Sequence, residues 1–200
     1  MKPDLFTIGH SNHPLDAFLG LLRQHSIQVL VDVRSSPYSS RLPQFNREPL
    51  KAALKAAGVR YLFLGEELGA RRSERNCYVD GVARYDRIAK TPAFQSGIER
   101  VTRGIQKYRS ALMCAEKDPL DCHRTILVCR HLRDVAQIQH IRADGSLESH
   151  EEAENRLMAA ERIPTDDLFT PPEQLLARAY DQRGGKTAYR ESTEPEAPTN

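Results

Sequence analysis

Gln28-Val29-Leu30-Val31-Asp32-Val33-Arg34 is the stretch on which the fold turns. A nearly continuous Val and Leu run is what a parallel strand covered on both faces requires, because neither face meets water. Alternation along an extended chain puts Asp32 and Arg34 on one face and Val31 and Val33 on the other. A carboxylate set in such a run is desolvated unless it borders a polar pocket. The pair therefore reads either as a local ion pair at a strand end or as a wall of a binding pocket, and the pocket reading is preferred.

Working outward, Leu5 to Ile8 is a second apolar run, ended by Gly9-His10-Ser11. Pro14 then opens a helix with Leu15, Phe18, Leu19 and Leu22 at helical spacing. On the other side of the opening stretch, Asn46 can cap a helix carrying Leu50, Ala53, Leu54 and Ala57. Gly58 stops it, and Tyr61 to Leu64 forms a third strand. This β-α-β-α-β rhythm predicts a parallel sheet with right-handed crossovers. Gly65 to Lys90 reads as a loop-rich insertion. Thr91-Pro92 then caps a helix with a Phe94, Ile98, Val101, Ile105 and Tyr108 stripe, and Ser110 to Ala115 is a fourth strand. Asp118-Pro119 opens a helix striped by Cys122, Ile126, Cys129 and Leu132. Gln137 to Arg142 and Ser146 to Glu148 make two further strands, and Ser149-His150-Glu151-Glu152 is a capping box for a helix running to about Arg162. The expectation is a single Rossmann-like three-layer α/β domain over residues 1–163, with a mostly parallel sheet of five to six strands. Residues 164–190 are a proline-containing extension that docks through a short amphipathic turn of Leu175, Leu176, Ala179 and Tyr180. Residues 191–200, without a large apolar side chain, are expected to be a disordered tail.

The chain has 200 residues, 40% hydrophobic and 28% charged, and no apolar run approaches the roughly 18 residues of a membrane span. Four cysteines are too few for a disulfide scaffold, so the expected compartment is the cytoplasm and each cysteine is a thiol, a redox residue or a ligand. The net charge of +2 is uneven: residues 71–109 hold ten Lys and Arg against four Asp and Glu. That stretch, with Arg71, Arg72, Arg75, Arg84 and Arg87 interleaved with Tyr78 and Tyr85, is either a solvated face or a surface for a phosphate or a nucleic-acid strand.

Open α/β sheets bind ligands at the carboxyl ends of their strands. Here those ends carry His10 and Ser11, Asp32 and Arg34, Glu66, and Cys114-Ala115-Glu116-Lys117-Asp118-Pro119-Leu120-Asp121-Cys122-His123-Arg124. One thiol lies at a strand end and the other is expected in the first turn of a helix, where free amides and the helix dipole favour a thiolate. Cys114 and Cys122 are the candidate nucleophiles, His123 and Glu116 the candidate proton carriers, and Arg34 and Arg124 an anion clamp. Other uses compete. Cys122 fits an apolar stripe, and Cys129 reads as core. His25, His131 and His150 read as surface residues, and His140 as half-buried or facing the crevice. A redox couple of the two thiols is open. No cofactor is expected, but zinc or iron held by Cys114, Cys122 and His123 with His10 or Glu116 is a competing arrangement, even though the seven-residue gap departs from close cysteine pairing.

Thr7-Ile8-Gly9-His10-Ser11, Val31-Asp32-Val33-Arg34 with Pro37 and Ser39, Gly65-Glu66-x-Leu68-Gly69 and Cys114-Ala115-Glu116-Lys117-Asp118-Pro119-x-x-Cys122-His123-Arg124 together resemble the bacterial and archaeal family known as domain of unknown function 488. The resemblance runs from about Leu5 to Arg162, with Ala179-Tyr180 and Gln182 echoing the family's tail; Ala70 stands where the family shows a second glycine. It implies an α/β domain and carries no activity with it. A weaker likeness to rhodanese and cysteine-phosphatase domains is chemical analogy, because the loop from Cys114 to Arg124 is longer and lacks their glycines. Taken together, the residues predict an intracellular hydrolase or transferase acting by thiolate chemistry on a phosphorylated, nucleotide-like or otherwise anionic substrate. Two alternatives stand beside it. One is acid–base hydrolysis of nucleosides or damaged nucleic acid by Asp32 and Glu66, with structural cysteines; the other is a nucleic-acid-binding module without catalysis. No membrane partner is expected, and oligomeric state is open.

Overall fold

The computed structural model describes residues 2–191, so most of the tail expected over 191–200 lies outside the described residues. In chain order the elements are β1 (Asp4–Gly9), α1 (Leu15–Gln24), β2 (Val29–Asp32), α2 (Arg47–Ala56), β3 (Arg60–Phe63), the one-turn α3 (Gly65–Leu68), a hairpin of β4 (Tyr78–Val79) and β5 (Val82–Ala83), the one-turn α4 (Tyr85–Ile88), α5 (Pro92–Ile105), β6 (Ser110–Cys114), β7 (Gln137–Ile141), β8 (Leu147–Ser149), α6 (His150–Ala160) and α7 (Pro172–Thr187). The main sheet runs β3-β2-β6-β1-β7-β8, every pairing parallel except β7 with β8. This is the α/β three-layer architecture the β-α-β rhythm predicts.

Strand alternation divides the core. Phe6, Ile8, Leu30, Ala111 and Met113 pack under α1 and α2 with Phe18, Leu22, Leu50 and Leu54. Leu5, Val29, Val31, Leu112 and Cys114 face the other way, joining Phe94, Val101, Leu157 and Tyr180. Several end signals work as read. Thr91 Oγ1 accepts from the Phe94 N–H at 3.2 Å, Ser149 and Glu152 form the reciprocal capping box, and Gly58 leaves α2 at φ +75°. Asn46 does not cap α2 with its side chain; its Oδ1 instead accepts from the Ser39 N–H at 2.6 Å and ties down the loop after β2.

The segment after Pro119 is not the continuous helix its apolar spacing predicts. A 3-10 turn over Pro119–Asp121 leads into Cys122 in extended conformation (φ −135°, ψ 138°), then a wide π turn at Arg124–Val128 and a 3-10 turn at Cys129–His131. The i, i+4 pattern is blind to a buried arginine: Arg124 is 1% exposed and turns inward to donate to the carbonyls of Glu116 (2.9 Å) and Lys117 (3.4 Å). Cys122 therefore precedes the helical run; its carbonyl accepts the first bonds of that run, from Thr125 and Ile126.

Three further expectations change. The insertion contains the β4–β5 hairpin, with Cys77 buried beneath it. The docking turn is a sixteen-residue helix, α7, beyond which Tyr189 to Glu191 run beside β5: the Tyr189 carbonyl accepts from Ala83 N–H, and Glu191 N–H donates to Gly81. His150 is not at the surface. Its ring is buried between His140 (3.0 Å) and the Tyr180 hydroxyl (3.0 Å), and His140 in turn reaches Thr7 Oγ1 at 2.8 Å.

Candidate active site

Parallel register sets the ends of β1, β2 and β6 level, with Gly9 opposite Cys114 and Asp32 opposite Met113. The ladder continues past the strands through His10 N–H to the Cys114 carbonyl and Ser11 N–H to the Ala115 carbonyl, both 2.9 Å. Gly9 is required here, because a Cβ on it would overlap the Glu116 carbonyl oxygen that lies against the strand. Beyond these ends opens a hollow of about 460 Å³, lined by Cys114, Glu116 and His123 on one side and by His10, Ser11, Arg34, Ser35, Ser36 and Ser39 on the other.

The first half of the site belongs to the α1–α2 face. Asp32 is fully buried, and Arg34 grips it side-on, Nε to Oδ1 at 2.9 Å and Nη2 to Oδ2 at 2.6 Å. The Arg34 amide (3.1 Å) and the Tyr61 hydroxyl (2.8 Å) donate to the same carboxylate. Asp32 does not line the hollow; its oxygens are occupied in holding Arg34. Arg34 spends one further N–H on the Phe45 carbonyl at 2.9 Å and one on His10 Nε2 at 3.2 Å. Of the five guanidinium protons one is left without a partner among the described residues, on Nη1, where the side chain borders the hollow. His10 stacks on Phe45 with 4.4 Å between ring centroids and donates from Nδ1 to the Ser11 carbonyl, so its Nε2 is the acceptor. Burial, reinforced by the Arg34 charge, lowers its pKa to about 4 and keeps the ring neutral.

The second half comes from the opposite face. His123 Nε2 donates to the Val33 carbonyl at 2.9 Å, which fixes the ring and turns Nδ1 toward two sulfurs, Cys114 at 3.7 Å and Cys122 at 3.9 Å. Burial opposes the thiolate of Cys114, but the hydrogen bond from Cys122 and the charge and hydrogen bond of His123 outweigh it and pull the thiol pKa down. His123 is shifted the other way: burial would lower it, and the Cys114 thiolate raises it. Cys122 is pushed up by burial and by the neighbouring sulfur, so it is the protonated member of the pair. Its sulfur accepts from the Arg124 N–H at 3.4 Å. Glu116, at the mouth, is held below its ordinary carboxylate range: burial raises it, and its hydrogen-bonding place in the cysteine cluster and the charge of His123 more than offset this. Sγ of Cys114, Sγ of Cys122 and a His123 nitrogen lie within 4.8 Å of one another, the spacing a metal ion would need, whereas His10 is spent on Arg34 and Ser11.

The structure brings His10, Ser11, Arg34, Cys114, Glu116 and His123 to one hollow. Cys122 sits directly behind Cys114, and Asp32 behind Arg34. Arg124 is not a clamp on the hollow: its guanidinium braces the 114–118 loop from beneath, and its Nε has no partner among the described residues. Glu66 is exposed on α3, away from the lining, and its backbone carbonyl accepts from Arg72. Sequence reasoning passed over Tyr61 and Phe45, which have no local signal, and over Tyr189 at the rim, where the guanidinium of Arg71, a residue of the basic stretch, lies 4.6 Å above its ring. The hydroxyl wall had a signal: the run Ser35-Ser36-Pro37-Tyr38-Ser39-Ser40 directly follows a strand. Five of the ten cations of the basic stretch are paired, Arg72 with Glu74, Arg75 with Glu191, Arg84 with Asp86, Arg100 with Glu67 and Arg109 with Asp4.

No helix among the described residues is long and apolar enough to cross a membrane. Compared with known families, residues 14–131 match the one described as domain of unknown function DUF488, a span that includes Asp32, Arg34, Cys114, Cys122 and His123 and begins just after His10 and Ser11. Neither a curated protein nor a solved structure matches the chain.

Proposed function

The chain belongs to the family of domain of unknown function DUF488, a description that assigns no reaction, and from the geometry of its hollow we propose an enzyme that uses Cys114 as a thiolate nucleophile on a small anionic substrate. The observation that carries this reading is the doubly fixed imidazole: Nε2 of His123 is committed to the Val33 carbonyl, which leaves Nδ1 3.7 Å from the Cys114 sulfur. Such an imidazole takes the thiol proton at rest and stands as counter-charge to the thiolate. When the sulfur attacks, the leaving group collects that proton from Nδ1, while the Nε2 proton stays on the ring, donated to the Val33 carbonyl. The unspent N–H of Arg34 and the guanidinium of Arg71, with the serine hydroxyls between them, offer donors to a phosphate, a carboxylate or a nucleotide's acidic end. Asp32 enters as the residue that orients Arg34. The carboxylate alternative gains no observation, since Asp32 is fully engaged and Glu66 lies elsewhere; the nucleic-acid alternative gains none from a stretch in which Arg72, Arg75, Arg84, Arg100 and Arg109 are paired with carboxylates.

The test is peptide-resolved alkylation with iodoacetamide between pH 5 and 10, on protein shown to be metal-free by elemental analysis. An ordinary thiol with a pKa of about 8.5 is roughly 3% ionised at pH 7, and one titrating below 7 is more than half ionised. Cys114 is therefore expected to label with a midpoint below 7, and His123→Gln to slow its labelling at pH 7 by roughly fifteen-fold. Wild-type labelling with an ordinary thiol midpoint, or a His123→Gln protein that labels as fast as wild type, overturns the assignment.

A further inference from the structure

A nucleophilic thiol needs one sulfur, and this hollow has two. Cys114 opens to it, recessed at 3% exposure. Cys122, 1% exposed, lies behind Cys114 against the same His123 nitrogen, and the three donor atoms fall within 4.8 Å. Were the substrate held on Cys114 through carbon or phosphorus, water would release it and an attack by Cys122 on the Cys114 sulfur would free nothing. The second thiol has work only if the adduct is bonded through sulfur, because a thiolate displaces sulfur from sulfur. The backbone suits that step. Cys122 is held in extended conformation between two helical turns. Arg124 donates its amide to the Cys122 sulfur, and its buried guanidinium has no carboxylate partner among the described residues, so a positive charge waits behind Cys122 for the moment it ionises.

Resting on Cys114 as the nucleophile, we infer that Cys122 is its resolving thiol and that the hollow takes a small acidic disulfide. In the first step the Cys114 thiolate attacks one sulfur of R–S–S–R. The Cys114–S–S–R bond forms, the substrate S–S bond breaks, and the departing RS⁻ takes the proton from His123 Nδ1. In the second step Cys122 gives its proton to the now neutral Nδ1 and attacks the Cys114 sulfur. The Cys114–Cys122 bond forms, the bond to R–S breaks, and the second RS⁻ leaves with that proton. Two protein thiols are oxidised and one disulfide is reduced to two thiols; an external dithiol returns the pair to its starting state. A small substrate is required because the sulfur is recessed, and an acidic one suits Arg34 and Arg71 at the wall and rim.

Oxidised glutathione is the probe, with intact-mass spectrometry, glutathione release and peptide mapping as readouts. Wild-type protein is expected to release two equivalents of glutathione per chain and to protect Cys114 and Cys122 together from alkylation until dithiothreitol is added. Cys122→Ser, or Cys122→Ala if the serine variant loses its fold, is expected to keep one glutathione on Cys114, and Cys114→Ser to stay unmodified. Wild-type protein that stops with glutathione on Cys114 and Cys122 free overturns the inference. So does protein that ignores oxidised glutathione while Cys114 alkylates below pH 7; that result leaves the nucleophile standing with a different electrophile. Cys114 inert to both reagents overturns both readings.

Discussion

Replacing Asp32 with Asn changes one buried charge and almost no volume, which makes it the sharpest probe of how the first half of the site is held. In the native protein the carboxylate accepts four hydrogen bonds, from the Arg34 amide, its Nε and Nη2, and the Tyr61 hydroxyl. Asp32 is 0% and Arg34 6% exposed, so the pair is screened little by solvent. An amide offers a single acceptor oxygen and turns an NH2 group toward donors, leaving at least one guanidinium N–H unmet and a buried cation without its counter-ion. Breaking such a pair by removing one partner costs about 3–5 kcal/mol, a large share of the 5–15 kcal/mol that holds a typical domain. For a chain of this length that corresponds to a fall in Tm of roughly 6–20 °C. Tyr61→Phe removes one of the four donors and leaves the charge paired, so its cost is about 1–2 kcal/mol. Urea unfolding at pH 7 followed by circular dichroism measures both. If Asp32→Asn costs less than about 1 kcal/mol with an unchanged m-value, the pair is not desolvated, and the argument that Asp32 serves only to hold Arg34 fails.

Two other perturbations address the frame around the site. In Gly9→Ala the new methyl overlaps the Glu116 carbonyl, so the 114–118 loop must move; a stability loss of about 1–3 kcal/mol is expected together with a changed rate of Cys114 alkylation, and an unchanged rate would show that the loop does not depend on the close approach. The buried rings of His140 and His150 predict an acid limb of stability. Burial depresses both, His150 to about 4, so the folded state binds fewer protons than the unfolded chain below pH 6.5, and stability present above that pH is lost as pH falls toward 4. Urea midpoints at pH 7 and pH 5 are expected to differ more in wild type than in His150→Gln; equal differences would mean that other groups set the acid limb.

Most of the fold was legible because its cues are local: Val and Leu runs for strands buried on both faces, proline and threonine at helix starts, glycine at the end of α2. The legible part of the site was likewise what strand order could deliver, since any parallel sheet places residues that follow its strands at one rim. That logic brings His10, Arg34 and Cys114 together across more than a hundred residues of sequence. It does not say which of them look into the hollow and which stand behind. Asp32 and Arg34 share a face, as alternation requires, yet one is foundation and the other wall. Arg124 resembles a clamp in sequence because arginine beside histidine and cysteine suggests an anion; inside the fold it is spent on two carbonyls. The setting of Cys122 and the burial of His150 escape the sequence for one reason: spacing reports which way a side chain points on an ideal helix, and Cys122 is not on one, while the partner that buries His150 is supplied by a helix thirty residues away.

The same distinction explains why the second thiol matters more than its burial suggests. The Asp32–Arg34–His10 unit hangs from the α1–α2 face and the Cys114–Cys122–His123 unit from the other, and the hydrogen bond from His123 to the Val33 carbonyl ties them across β2. A side chain supplied only for packing would not need its sulfur against the nitrogen that serves Cys114, nor an amide donated to it and, behind it, a guanidinium with no carboxylate partner among the described residues. Cys129, equally buried one helical run further on, shows what a packing cysteine looks like here: burial drives its pKa up to about 12, with no imidazole to offset it. The contrast between two cysteines seven residues apart, one facing a proton acceptor and one facing only the core, is the reason to assign chemistry to the first and structure to the second.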